Sequence, residues 1–207
     1  MTHDDSLPGD HVPLIERTRA WVRRAVIGLN LCPFARGVEA KNQIRYAVTD
    51  ATDPEGLLEA LCEELQRLEA ADPEVVDTTL LIHPHVLQDF ADFNDFLELA
   101  DAAVEELGLE GVLQVASFHP QFQFADTDPD DVTNATNRSP YPTLHLLRED
   151  SVDRAVEAFP AAEAIFENNM RTLEKLGLEG WTSLREQWDR DAAAEVARRD
   201  KKAGKQA

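Results

Sequence analysis

Between Gln43 and Phe118 the chain alternates short apolar runs with long amphipathic ones, and this alternation constrains the fold more than any other feature. Gln43 to Thr49 alternates polar and apolar residues, as a half-buried strand does. Asp77 to His83 and Val112 to Phe118 are short apolar runs that predict buried strands. The segments between them, from Pro54 to about Ala70 and from about Asp89 to Leu107, carry apolar residues at helical spacing. Asp53 as N-cap and Pro54 at the first helical position mark the start of the first, and Gly108 closes the second. Upstream, Leu14, Ile15, Thr18, Trp21, Val22, Ala25, Val26 and Leu29 predict a helix over 13–29, ended by Pro33. Downstream, Thr143 to Arg148 reads as a fourth strand. A helix capped by Ser151 then runs to about Phe159. Another starts at Pro160 and ends near Leu176-Gly177, and Trp181 and Trp188 mark a last amphipathic piece.

Strands joined by crossover helices run parallel with right-handed connections, which the first three strands satisfy; the fourth is free to be antiparallel. The expected fold class is therefore α/β: a single-domain sandwich with a four-stranded, mostly parallel mixed sheet covered by helices. A length of 207 residues suits one core. The expected layout is a disordered leader over 1–12, one α/β domain over 13–186, and a helical or disordered basic tail over 187–207.

Charge narrows the function classes. Forty acidic against 20 basic residues give a net charge of -20, which argues against generic binding to nucleic-acid phosphate. The acids are spread over every helix, which favours a solvating shell over a single patch for cations or basic partners. No apolar run approaches the roughly 20 residues that span a bilayer, and the first residues lack the pattern of a signal peptide. The two cysteines, Cys32 and Cys62, are too few for a disulfide framework. These features together predict a cytoplasmic protein with no nucleic-acid or membrane partner and a small-molecule substrate; the cofactor and the oligomeric state are left open.

The residues able to carry chemistry fall at strand ends and in one loop, while the helices look purely structural. His83-Pro84 and His119-Pro120 each follow an apolar strand, and in open α/β sheets ligands bind beyond the carboxyl ends of strands. If those two strands are neighbours, the imidazoles share one rim as acid/base groups. His83-Pro84-His85 also permits a two-histidine metal chelate with His119 as a third ligand, the alternative of a zinc-like hydrolase. Cys62 sits in a helical apolar stripe and reads as core. Cys32 sits where a helix stops and is the candidate nucleophile, although a helix C-terminus does not favour a thiolate.

Residues Pro120 to Pro142 form a long polar stretch of the kind that is often functional inside a compact domain. Asn134, Asn137 and Arg138 within it, and His145 just beyond, are the candidate substrate-binding residues. A lone arginine in an acidic chain suits a carboxylate or phosphate fork. Asn168 and Asn169, poor helix formers inside a helix, are expected to hydrogen-bond this loop. Phe122 and Phe124 lie on one face of an extended segment, and the stripe Phe90, Phe93, Phe96, Leu97 is the expected cover for them. If uncovered, they would instead mark a protein-binding module built on the 120–142 loop. There is no Gly-rich phosphate loop, G-x-G-x-x-G, G-x-S-x-G or C-x-x-C.

The runs Gly28-Leu29-Asn30-Leu31-Cys32-Pro33-Phe34-Ala35, His83-Pro84 with Asp89-Phe90, Ser117-Phe118-His119-Pro120 with Phe122-Gln123-Phe124-Ala125, and Thr136-Asn137-Arg138-Ser139-Pro140-Tyr141-Pro142 with Leu144-His145-Leu146-Leu147-Arg148-Glu149 resemble the bacterial family called domain of unknown function 1415. The resemblance runs from about Leu14 to Leu184. It implies a soluble single-domain protein and supplies no reaction; His85 is not part of the matching motif. The expectation carried forward is a hydrolase or transferase acting on a small polar or anionic substrate, with Cys32, His83, His119 and Arg138 converging on one cleft.

Overall fold

The computed structural model describes residues 11–158 and 164–204. The chain begins with α1 (Val12–Trp21), continues without a break into a π-helical segment (Val22–Ile27), and turns at Asn30 into the short α2 (Ala35–Ala40). Then follow β1 (Ile44–Val48), α3 (Pro54–Ala70), β2 (Thr78–Ile82), α4 (Phe90–Glu106) and β3 (Leu113–Phe118). A loop with one 3-10 segment (Val132–Asn137) leads to β4 (Thr143–Arg148), α5 (Glu149–Ala158) and the long α6 (Ile165–Ala203). No helix among the described residues is long and apolar enough to cross a membrane.

Local chemistry sets the helix starts. The Asp53 side chain accepts the Gly56 N–H at 2.9 Å, and that of Asp89 accepts the Ala91 N–H at 2.8 Å. Each cap contributes about 1 kcal/mol. Arg148 closes the other end of α3: its guanidinium donates to the carbonyls of Leu68, Ala71 and Val76, where a helix C-terminus favours a cation. Gly28 follows the π segment because a Cβ there would stand 2.1 Å from the Arg24 carbonyl oxygen. Gly177, at φ 68° and ψ 172°, interrupts α6 where the sequence predicted an end, and the helix resumes beyond it.

The sheet order is β1-β2-β4-β3. β1 and β2 are parallel, while β4 is antiparallel to both β2 and β3. The mixed α/β sandwich is thus present, with one parallel pair. The strands ending at His83 and His119 run the same way but are not neighbours, because β4 lies between them. Burial explains the order. All five residues of β2 are buried, and Leu144 and Leu146 of β4 are fully enclosed, so these two occupy the centre. In β3 only Leu113 is buried, so the strand expected to be buried lies at an edge.

The two sheet faces carry separate cores. Tyr46, Leu80 and Ile82 pack with Ile15 and Trp21 from α1 and with Leu173, Trp181 and Trp188 from α6. Leu81, Leu144 and Leu146 pack with Leu57, Leu61, Leu65 and Leu68 from α3 and Phe93 and Phe96 from α4. Burying one such leucine rather than exposing it contributes about 1.5–3 kcal/mol.

Several boundaries differ from the sequence reading. His11, placed in the leader, is buried and bonds Asp50 at 2.8 Å. Trp188 and Ala192, placed in the tail, are buried in the α1 core, and Arg199 pairs with buried Glu16 at 2.8 Å. The packed unit therefore extends beyond 186, because the apolar stripe of α6 continues past Gly177. α5 starts at Glu149, and the Ser151 hydroxyl donates to Asp77 at 2.6 Å instead of capping. Residues 1–10 of the leader, the junction expected at Phe159-Pro160 and the last three residues lie outside the described residues.

Candidate functional site

β2 delivers His83 to the rim on the α3/α4 face. The imidazole is fully buried and stacks on Phe93 of α4 with centroids 5.6 Å apart. Its Nδ1 donates to the Val86 carbonyl at 3.1 Å. That leaves Nε2 as a buried lone pair without a hydrogen-bond partner. Burial pushes His83 down to about 4, so it is neutral near pH 7.

β3 delivers His119 to the same ring, stacked on Phe93 at 5.0 Å between centroids. Phe93 thus touches both imidazoles, which is how two non-adjacent strands share a rim. His119 is buried, and its ring meets the carbonyl of Leu87 through Nε2 at 3.2 Å and the backbone N–H of Gln121 through Nδ1 at 3.0 Å. Both histidines therefore bond successive carbonyls of the turn that leads into α4. Burial also lowers the His119 pKa. The two His-Pro sites of the sequence correspond to two anchors on one turn.

The loop after β3 is held by its own polar groups. The Asn134 side-chain oxygen accepts from the Phe124 N–H and the Thr127 hydroxyl, each at 2.9 Å, and its amide donates to the Asp128 carbonyl at 2.9 Å. Asn134 is fully buried, so this candidate substrate ligand is the loop's internal brace. Arg138 donates from Nε to the Phe122 carbonyl at 3.0 Å and from Nη2 to the Pro129 carbonyl at 2.7 Å. These bonds fix the guanidinium plane while Nη1 makes no hydrogen bond among the described residues. The Asn137 side chain is half-buried with no hydrogen bond among them.

The start of α4 and this loop border an open cleft of about 470 Å³. Asp89, Phe90 and Ala91 line one side; Pro120, Gln121, Gln123, Pro129 and Arg138 line the rest. Desolvation lowers the Arg138 pKa, and Arg185 opposes its charge while Asp130 and Asp131 favour it. Gln121 and Gln123 were not singled out in the sequence, because a glutamine in a loop carries no chemical signature. Asp89 had one faint signal, its place at the start of the helix that follows the strand-end His83.

Two candidates lie elsewhere. Cys32 packs half-buried against the α1/α6 core, on the opposite face of the sheet from Phe93. Burial pushes its thiol up, partly offset by the N–H groups of Phe34 and Ala35 at the start of α2. The expected convergence of Cys32 with the histidines is therefore not the arrangement found; the loop after Leu31 turns to the other core. His145 also faces that core. Its Nε2 donates to the Thr78 hydroxyl at 2.9 Å, since that hydroxyl itself donates to the Leu146 carbonyl. Desolvation pushes His145 down to about 4. Asn169 donates to the Leu31 carbonyl at 2.9 Å, so it braces the Cys32 segment and not the polar loop, while Asn168 is exposed.

Among the described residues no three His, Cys, Asp or Glu side chains gather where they could hold a metal ion. His85 is exposed while His83 is buried, so the His-Pro-His pair does not face one point.

A ladder of rings leads outward from the rim. His119 touches Phe90, Phe90 touches Phe122, Phe122 touches Phe124 and Phe124 touches Phe166, with centroids 4.9 to 5.5 Å apart. Phe122 and Phe124 are half-buried, as the expected cover from Phe90 implies, and Phe166 is 51% exposed.

No curated protein and no solved structure matches the chain. The family model described as protein of unknown function (DUF1415) matches residues 13–183, a span that takes in β1 to β4, both strand-end histidines and the whole cleft. By that match the chain belongs to the DUF1415 family.

Proposed function

We propose that the chain binds a small polar or anionic molecule in the cleft between the start of α4 and the 120–138 loop. The observation that carries this reading is Arg138. Two carbonyls orient its guanidinium, one nitrogen is left without a hydrogen bond among the described residues, and the group lines a cleft of the size that small ligands occupy. Gln121 and Gln123 add amide groups and Phe90 adds an apolar surface. The hydrolase or transferase chemistry expected from the sequence would fall to the cleft's own groups. Asp89 is the lining residue able to move a proton, since His119 has both ring nitrogens engaged and Cys32 is on the far face.

An NMR titration with acetate, inorganic phosphate and pyrophosphate tests the binding. The expected result is shifts confined to Phe90, Ala91, Gln121, Gln123 and Arg138, and lost in Arg138→Gln. Shifts scattered over the surface, or none, would remove the reading.

Exposed Phe166 at the end of the ring ladder favours a second reading, a docking surface for an apolar segment with basic flanks, given the net charge of -20. Shifts at Phe124 and Phe166 on adding a Lys-rich amphipathic peptide, abolished in Phe166→Ser, support it; their absence removes it.

A further inference from the structure

We propose that His119 is the positioning residue of the cleft, and that it joins the cleft's walls only as the neutral tautomer with hydrogen on Nε2. The argument is one of donors and acceptors. The backbone N–H of Gln121 only donates, so Nδ1, 3.0 Å away, is a lone pair. The Leu87 carbonyl only accepts, so Nε2, 3.2 Å away, carries the hydrogen. The His119 N–H also donates to the Asn137 carbonyl at 3.1 Å, next to Arg138, and its carbonyl accepts from Phe122 at 3.1 Å. One buried residue thus ties together the turn that leads into the Asp89–Ala91 wall of the cleft, the lining stretch around Gln121, and the approach to Arg138.

The turn needs such a tie. Leu87 sits at φ 54°, a left-handed conformation that is unfavourable for a leucine and persists only where surrounding contacts impose it. His83 holds the Val86 carbonyl and His119 holds the Leu87 carbonyl, on either side of this residue's own φ and ψ rotations.

A second proton on His119 places Nδ1–H against the Gln121 N–H, two donors facing each other in a buried space. The charged and titratable groups around the ring are Asp89 at the start of α4, His83 at the end of β2, and Arg138 beside Asn137. Asp89 favours the proton, whereas burial opposes it. The walls therefore separate at Gln121 as the medium is acidified. This holds for the cleft as built and rests on the binding reading only for its ligand arm.

Long-range ¹H–¹⁵N spectra of the full chain near neutral pH test the tautomer without a variant. A pyridine-like Nδ1 and a pyrrole-like Nε2 on His119 are expected, and a pyrrole-like Nδ1 overturns the proposal. Hydrogen exchange of the Gln121 amide then reads the bond. His119→Asn keeps an acceptor at the Nδ1 position and should leave exchange near the native value with no response to acid. His119→Gln loses that acceptor, and exchange should rise about tenfold. Equal exchange in both variants, or an acid response that survives in His119→Asn, overturns it. Phosphate titrations at neutral and acid pH separate the two readings. Binding with the wrong tautomer sinks the positioning role alone; the right tautomer without binding sinks the ligand reading alone.

Discussion

The β2–β3 rim and the Cys32 segment look alike as sequence, each ending an element with a reactive residue before a proline, yet they are built oppositely. At the rim, every ring nitrogen but one has a named partner, and the two imidazoles lock the turn that leads into one wall of a cleft. At Cys32 the side chain packs against apolar neighbours, and the polar work is done by the backbone, with the Leu31 carbonyl held by Asn169. The comparison teaches that a reactive residue type locates a site only when its polar atoms couple separate chain segments. By that measure the rim is the candidate site and Cys32 packs as support.

Five measurements would break or sharpen this comparison. Phe93→Ala removes the ring that both imidazoles stack on and should cost about 3–5 kcal/mol in urea unfolding, more than any change near Cys32. A loss below about 1 kcal/mol would mean that the rim is not packed as described. Acid is next. His83 has a folded pKa of about 4 against an unfolded value near 6.5, so the unfolded chain binds more protons between them. Stability is then complete above about pH 6.5 and falls as pH drops towards 4, by about 3 kcal/mol for this one group. His83→Gln should flatten that slope; an unchanged slope would remove the assignment.

Asn134→Ala should cost about 1–3 kcal/mol and speed exchange of the Phe124 amide, because three hydrogen bonds of a buried side chain are lost. Exchange unchanged at Phe124 would contradict the brace. Asp89→Ala should cost about 1 kcal/mol through the lost N-cap, while Asp89→Asn, itself a good cap, should cost only a few tenths. Equal losses in the two variants would show that charge, not capping, matters there. Cys32→Ala should cost about 1 kcal/mol or less, as removal of one half-buried apolar atom does. Iodoacetamide should label this thiol slowly at neutral pH, since burial holds it protonated. Rapid labelling by mass spectrometry would restore it as a nucleophile.

Much of the fold was legible in local pattern. α3 begins beside Asp53, as its capping chemistry predicts, α4 begins beside Asp89, where its apolar period placed the start, and all four strands lie where short apolar or alternating runs placed them. The polar loop was legible as the part that carries function-like residues, and Arg138 does line a cleft. The roles within that loop were not legible. Asn134 and Arg138 are both polar loop residues, and only the fold shows that one is buried as a brace while the other keeps a nitrogen without a hydrogen bond among the described residues.

By itself the sequence determined the order of the four strands and of the long helices around them, because caps, breakers and hydrophobic periods act over a few residues, whereas the π segment, α2 and the 3-10 segment were not among its expectations. It also determined that the histidines end their strands. Only the tertiary structure decided that β4 inserts between β2 and β3, that Phe93 nevertheless brings the two histidines together, and that Cys32 faces the opposite core. Those outcomes depend on which strand is most fully buried on both faces and on which way a turn at Asn30 sends the chain. Such choices are settled by contacts between residues far apart in sequence, and no local pattern encodes them.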